Sequence, residues 1–263
     1  MLRLIFQHGS ISTEDLAKKL STTPSTVRRD LAGFEKKGII KRYFGGVQYI
    51  AHDAGDEDRL SYNGISPDLF VKRCIAKTAA EFIDDGDTIF INSSSTALMI
   101  LDYVSDRQIT VITNNGNAIM NNYGSHMDII LTGGELSKYK RSLVGEFASH
   151  ALGRVKANKC FMGVCGISGD VGITSRSLRE APMNRLMLRQ CDGSRFVVAL
   201  GNKIGVKDNF LSGDISDITH LITDTSADPI QLDLIRRAGV EITVCDPTLF
   251  QAASPIISAD EKK

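Results

Sequence analysis

The chain of 263 residues has no net charge: 31 Lys and Arg balance 31 Asp and Glu. Taken whole, it gives no argument for a polyanionic partner. It also lacks any apolar run near the ~18 residues that a membrane span needs. Its opening, MLRLIFQHGS, turns polar too soon for a signal peptide, so a cytoplasmic protein is expected. The five cysteines, Cys74, Cys160, Cys165, Cys191 and Cys245, are odd in number and form no CxxC. That fits reduced thiols better than a disulfide framework or a zinc knuckle, and small buried side chains are the ordinary use. Histidines at 8, 52, 126, 150 and 220 make no HxxxH or HExxH, so neither a metal nor a cofactor is expected.

What is present is a globular composition, 42% hydrophobic and 24% charged, long enough for one large domain or for a small domain joined to a larger one. The charge is unevenly placed. The first fifty residues hold nine basic side chains (Arg3, Lys18, Lys19, Arg28, Arg29, Lys36, Lys37, Lys41, Arg42) against four acidic ones (Glu14, Asp15, Asp30, Glu35), and the remainder is acidic by the same margin. A basic head on an acidic body suggests that the head meets a polyanion.

Leu2, Ile5 and Phe6 have helical spacing up to Gly9, so a first helix is short and reads as missing its beginning. Ser12 can cap a second helix over about 13–20, with Asp15 as its third residue and Leu16, Ala17 and Leu20 on its apolar side. Thr23-Pro24 starts a third helix over about 24–37, because proline in the first turn has no N–H to leave unsatisfied. At about 100° per residue, Val27, Leu31 and Phe34 share one side of it and Ser25, Arg29 and Lys36 the other, with Thr26 and Arg28 on the flanks. The alternating stretch 39–47, turning at Gly45-Gly46, reads as a basic two-stranded wing.

These parts in this order make a winged helix-turn-helix, whose second motif helix enters the major groove of double-stranded DNA. The candidate contacts are Thr23, Ser25, Thr26, Arg28 and Arg29 on the helix and Lys41 and Arg42 on the wing. A solvated basic helix on an ordinary three-helix domain is the alternative, and Arg28-Arg29 alone would not displace it. The run Ile11-Ser12-Thr13-Glu14-Asp15-Leu16-Ala17, then Ser25-Thr26-Val27-Arg28-Arg29-Asp30-Leu31, Gly38-Ile39-Ile40-Lys41-Arg42 and Gly45-Gly46 closely resembles the DNA-binding head of the DeoR family of bacterial transcriptional regulators.

From Gly46 to Phe70 the periodicity fades into a polar connector. The expected organisation is a head at 1–52, a linker at 53–70 and an α/β body at 71–263. In the body, strands at about 88–91, 109–112, 128–131, 159–163, 195–200, 219–223 and 240–244 alternate with helices near 71–83, 97, 117–123, 146–153, 177–191 and 229–238. Such alternation predicts a mostly parallel sheet.

Ligands of such sheets sit beyond the carboxyl ends of the strands. There the sequence places Asn92-Ser93-Ser94-Ser95-Thr96, Thr113-Asn114-Asn115, Gly133-Gly134 and the loop from Gly163 to Gly166. Hydroxyls before a helix can hold an anion, and phosphate is the natural guest. Lys138, Arg141, Arg179 and Lys203 could add charge, and Glu180 completes the candidate effector set. Ordinary strand-to-helix turns also favour Ser and Asn for capping alone.

The resemblance to the DeoR family continues through Gly133-Gly134-Glu135-Leu136, Ser142-Leu143-Val144-Gly145, Lys159-Cys160-Phe161-Met162-Gly163, Gly172-Ile173-Thr174, Glu180-Ala181, Lys203-Ile204-Gly205 and Leu221-Ile222-Thr223-Asp224. It implies a sensor domain similar in fold to ribose-5-phosphate isomerase and the CoA transferases. It further implies a regulator, usually a repressor of carbohydrate transport or catabolism genes, released from DNA by a phosphorylated sugar. The chain departs from the family pattern: the usual Asp-Ser-Gly-Thr-Thr is Asn92-Ser93-Ser94-Ser95-Thr96, losing a carboxylate and the glycine that lets a backbone approach phosphate closely, Asn184 stands where Lys is common and Leu200 where Asp is common.

Two other functions use the same parts. A sugar-phosphate isomerase or acyl transferase with an appended head needs a carboxylate base. The Gly163-Val164-Cys165-Gly166 loop has none, although Glu135 and Glu180 remain conceivable. A transcriptional activator is the other. No catalytic set is assigned. A homo-oligomer, at least a dimer, is expected because operators are usually read as paired half-sites.

Overall fold

The computed structural model describes residues 1, 4–5, 10–36, 40–43, 45–49, 68–120, 123–137 and 140–249. The chain divides into two compact units, Met1–Leu69 and Phe70–Lys263.

In the first unit, strand β1 (Ser10–Ser12) leads into helix α1 (Thr13–Lys19), where the Asp15 backbone N–H donates to Ser12 Oγ at 3.0 Å and the Ser12 hydroxyl donates to the Asp15 carboxylate at 2.7 Å. After a turn through Ser21, which has φ +50°, α2 spans Pro24–Lys36. Strands β2 (Ile40–Tyr43) and β3 (Gly46–Tyr49) follow as an antiparallel pair, and β1 adds to the far side of β3. That third strand was not expected from sequence, because three residues show no usable alternation. Of the expected first helix, Leu4 and Ile5 are helical, and its other residues lie outside the described ones. Ile5, Ile11, Leu16, Ala17, Val27, Leu31, Ile40 and Val47 form the core, each supplied by the apolar side of its element.

The second unit opens with α3 (Leu69–Ala80) and is built on seven strands: β4 (Thr88–Ile91), β5 (Ile109–Thr113), β6 (Met127–Leu131), β9 (Ala157–Met162), β12 (Cys191–Val198), β14 (His220–Asp224) and β15 (Glu241–Cys245). They lie in the order β15-β14-β12-β9-β4-β5-β6, with every neighbouring pair parallel. Central strands such as Thr88–Ile91 read as continuous apolar runs because the sheet is covered on both faces. Phe90, Cys160, Met162, Val197 and Leu221 meet Met183, Met187 and Leu188 in the main core.

Most expected elements are present with ends moved by a few residues. The helix expected near 97 is one α-helical turn, α4 (Ser95–Leu98), continuing as a 3-10 helix over Met99–Tyr103, and the one expected at 117–123 is a 3-10 turn at Gly116–Met120. Helix α5 spans Glu146–Leu152, α6 Ala181–Gln190 and α7 Pro229–Arg237. Sequence reading gave no hint of the hairpin β7 (Glu135–Leu136) with β8 (Leu143–Val144), or of the antiparallel sheet β10 (Gly166–Ser168), β11 (Gly172–Ser175) and β13 (Phe210–Gly213). Strands of two to four residues are too short for a period to register.

Candidate functional site

On the head, α2 buries Val27 and Leu31 and leaves Ser25, Arg28 and Arg29 exposed, with Thr26 half-buried. Thr23 caps the helix: its Oγ accepts from the Thr26 backbone N–H at 3.3 Å and lies 2.9 Å from the hydroxyls of both Ser25 and Thr26. The Arg28 Nε–H turns back to the Pro24 carbonyl at 3.3 Å, while Arg29 extends into solvent. Lys41 is exposed on the wing, and Arg42 approaches Glu35 of α2 at 3.8 Å. The wing turn depends on Gly45, at φ +86°, and on Gly46, where a Cβ would fall 2.4 Å from the Tyr43 hydroxyl. Tyr43 in turn lies 2.8 Å from Ser10 Oγ.

In the body, β4 lies between β5, which follows it in the chain, and β9, which comes later. Chain order therefore reverses beside β4, and the two loops leaving β4 and β9 meet at their carboxyl ends, the place where sheets of this kind bind ligands. Asn92 closes this point. Its amide donates to the Gly163 carbonyl at 2.8 Å and its Oδ1 accepts the Gly163 N–H at 3.0 Å. The same amide donates to Asn184 Oδ1 at 3.1 Å. Asn115 reaches the Asn92 and Ser94 carbonyls at 3.4 and 3.2 Å. Ser94 caps α4 by accepting from the Ala97 N–H, and it sits so close to Gly163 that a Cβ there would fall 1.9 Å from Ser94 Oγ.

Beside them lies a second group of polar side chains. Glu180, only 3% exposed, accepts from Ser142 Oγ at 3.0 Å and from the Lys140 ammonium at 3.2 Å. The Lys140 ammonium also stands 3.9 Å from Cys165 Sγ. Asn114 donates to the Leu143 carbonyl at 3.1 Å, and its Oδ1 is buried with no partner among the described residues. The 140–143 segment is held by Gly116 N–H to the Arg141 carbonyl (2.8 Å) and Leu143 N–H to the Asn114 carbonyl (2.7 Å).

The candidates named from sequence are therefore not equivalent. Asn92, Ser93, Ser94, Ser95, Thr96, Asn114, Asn115, Gly163 and Glu180 gather around the switch point. Thr113 is nearby, but its hydroxyl donates to the Ile91 carbonyl at 2.6 Å and ties β5 to β4. Gly133 and Gly134 both have positive φ, and a Cβ on Gly134 would meet the Val144 carbonyl at 2.6 Å, so it serves the hairpin's approach. Gly166 is equally confined, by the Val206 carbonyl at 2.3 Å. Arg141 is exposed at φ +55°, Arg179 is exposed and paired with Glu135, and Lys203 lies in a 3-10 turn after β12, outside the hydrogen bonds that join the cluster. Lys138 lies outside the described residues. The helix after the serine loop is a single turn, so its dipole adds little to anion binding.

Sequence reading missed Lys72. It is 3% exposed on α3 and its ammonium donates to Ser95 Oγ at 3.2 Å. The available signal was its helical position, since Lys72 shares the side of Ile75, Ala76 and Ala79, which are buried, and buried lysines are rare unless paired. Lys140 and Ser142 were missed as site residues, and Asn184 was named only as a departure from the family pattern, because the 140–143 segment and α6 meet the β4 loop only in the tertiary structure.

A winged helix-turn-helix with an outward arginine-bearing helix, joined in one chain to an α/β unit with a polar cluster at its switch point, defines a ligand-sensing DNA-binding regulator. Residues 1–53 match the DeoR-like helix-turn-helix domain, and residues 70–225 match the DeoR C terminal sensor domain. The chain belongs to the DeoR family of transcriptional regulators, whose members are not enzymes. Relatives include the HTH-type transcriptional repressor GlcR of Bacillus subtilis, 31% identical over 94% of both chains. The lactose phosphotransferase system repressor of Staphylococcus epidermidis is 28% identical over 91% of this chain and 93% of its own. Among solved structures, ribose 5-phosphate isomerase A from Methanocaldococcus jannaschii is similar over 51% of this chain and 52% of its own, at 13% identity and a TM-score of 0.35. Among the described residues no helix is long and apolar enough to cross a membrane.

The two departures from the family pattern at Asn92 and Asn184 are in contact. A usual Asp and a common Lys are replaced together by two neutral amides. Leu200, a further departure, is buried, and the following Gly201 N–H donates to Asp224 at 2.7 Å.

Proposed function

We propose that this protein is a cytoplasmic repressor of carbohydrate transport or catabolism genes that leaves its operator when a phosphorylated sugar enters the crevice beside β4. Residues 1–52 form the DNA-binding head, 53–70 the linker and 71–263 the sensor. Arg29 and Ser25 read bases, while Thr23, Thr26, Arg28, Lys41 and Arg42 hold the backbone phosphates. Two or more copies assemble, and the effector acts by changing how the heads are presented to adjacent half-sites.

The observation that carries this reading is the clustering of Asn92, Ser94, Ser95, Lys72, Asn115 and Glu180 at the one place where the chain order reverses. Lys72 and the 93–96 hydroxyls suit the phosphate, and Glu180 and Asn114 suit sugar hydroxyls, since carboxylate and amide oxygens accept O–H donors. Gly133, Gly134, Lys138, Arg141, Gly163, Gly166, Arg179 and Lys203 complete the proposed surroundings of the site, with Thr113 holding its floor. The names of the relatives, a lactose phosphotransferase system repressor and the repressor GlcR, agree with repression of sugar genes.

The test is a fluorescence-anisotropy titration of the full chain against duplexes from its own upstream region, at fixed salt, with a panel of hexose and pentose phosphates. One sugar phosphate should release specific DNA and raise the thermal midpoint, with about 2.7 kcal/mol of stabilisation at 100 times its dissociation constant. Turnover of a sugar phosphate without any change in DNA affinity would defeat the proposal.

A further inference from the structure

Among the large apolar side chains of the sensor unit that stand in water are Ile119 (70% exposed), Met120 (68%), Leu136 (59%), Phe147 (82%) and Leu178 (65%). They are scattered in sequence, yet three contacts gather their segments around β7. Leu136 Cδ1 lies against Gly116, at the start of the turn that carries Ile119 and Met120. Glu135 packs on Gly145, which precedes α5 and Phe147. The Arg179 guanidinium pairs with Glu135 and brings Leu178 alongside.

We propose that this patch is the surface through which two copies of the sensor unit pair about a two-fold axis. The inference rests on the reading of the protein as a regulator with paired heads, and it locates the pairing. At roughly 100–200 Å² for each large apolar side chain, the five expose on the order of 600 Å², the upper end for the largest patch on a monomer. With a polar rim this approaches the ~800 Å² per partner of a standard interface. The rim carries both signs, exposed Arg141 and Glu146 beside the Glu135–Arg179 pair, as a self-complementary contact requires, because an acid on one copy must meet a base on the other. A uniformly basic rim would have suited nucleic acid or a lipid surface instead. Phe147 also borders an open groove along α5 lined by Glu146, Ser149 and His150, a seat for the same phenylalanine of the second copy. The patch is tied to the effector cluster, since Asn117 donates to the Lys140 carbonyl at 3.2 Å and the Lys140 ammonium meets Glu180.

The experiment is sedimentation of the full-length protein across micromolar concentrations, with circular dichroism to confirm folding. Wild type should form a dimer or larger assembly, and Phe147→Glu and Leu178→Glu should each raise the dissociation constant at least ~100-fold, since every change acts twice at a two-fold contact. Ile230→Glu, equally exposed on α7 at 70%, should leave assembly unchanged. If a glutamate variant unfolds early, Phe147→Ser decides in its place and should weaken assembly in the same direction. The inference is overturned if both patch variants associate like wild type, if Ile230→Glu dissociates the protein as strongly, or if wild type is a monomer. A monomer that still released operator DNA with a sugar phosphate would overturn the pairing surface and leave the proposed function standing.

Discussion

Asn92 donates its side-chain amide to Asn184 across 92 residues of sequence, at 3.1 Å, while the same side chain clamps Gly163 through both its N–H and its carbonyl. One residue thereby joins the loop after β4, the loop after β9 and helix α6. The resemblance implies Asp and Lys at these two positions, and here two neutral amides stand in contact.

Asn92→Asp alone should be strongly destabilising, by roughly 3–5 kcal/mol, because it buries a carboxylate against a neutral amide. Asn184→Lys alone should also be costly. The double variant Asn92→Asp with Asn184→Lys should recover at least ~2 kcal/mol of the summed loss, read as coupling in a double-mutant cycle of urea unfolding. Strict additivity would show that the two side chains do not share a site in solution.

For the head, Arg29→Ala should lower specific operator affinity by about 1–3 kcal/mol and nonspecific binding much less, as loss of a bidentate base contact would. Lys41→Ala should weaken both alike and reduce the salt slope by about 0.9 for one phosphate contact. Arg42→Ala should change the slope less, because Arg42 is already near Glu35. Anisotropy titrations at several salt concentrations, with operator and scrambled duplexes, separate these outcomes. Equal loss on both duplexes would remove Arg29 from base readout.

In the sensor, Lys72→Met keeps most of the buried volume and removes the ammonium beside Ser95. DNA binding should persist while release by sugar phosphate is lost, and inorganic phosphate should no longer raise the thermal midpoint. Ser94→Asp should give the same constitutively bound protein by placing a carboxylate in the phosphate position. Normal release by both variants would show that the 93–96 loop is only a cap.

Acid sensitivity should arise away from this site. Burial pulls the Asp87 carboxyl upward, but hydrogen bonds from the Asp84 N–H, Lys159 and Asn158 outweigh it and hold it below the usual carboxylate range. A carboxyl lowered in the folded state adds stability above its unfolded value near pH 4, and that stability disappears as pH falls through the folded value. Thermal midpoints should thus be flat from pH 6 to about pH 4 from this group and drop below it. In Asp87→Asn the protein should be less stable at neutral pH and show a shallower acid limb. An unchanged acid limb would exclude Asp87 as a contributor.

Sequence alone determined helices α1 and α2 and the two-stranded wing of the head, though not strand β1. The head's helices are set by local signals, Ser12 and Thr23 at the caps and Pro24 in a first turn, and its exposed face follows from the helical period that buries Val27 and Leu31. It also determined the parallel sheet, because strands covered on both faces must be apolar throughout and so stand out between amphipathic helices. It could not decide which polar loop residues act together. Asn92 with Asn184, Glu180 with Ser142 and Lys140, and Lys72 with Ser95 are contacts between distant segments, and strand order alone brings them to one end of the sheet. The two-residue hairpin strands and the small antiparallel sheet were equally invisible, since their pairing partners, and not their own pattern, make them strands. Local chemistry fixes elements whose signals lie within one or two turns of chain; a site assembled across a sheet exists only once the sheet has been ordered.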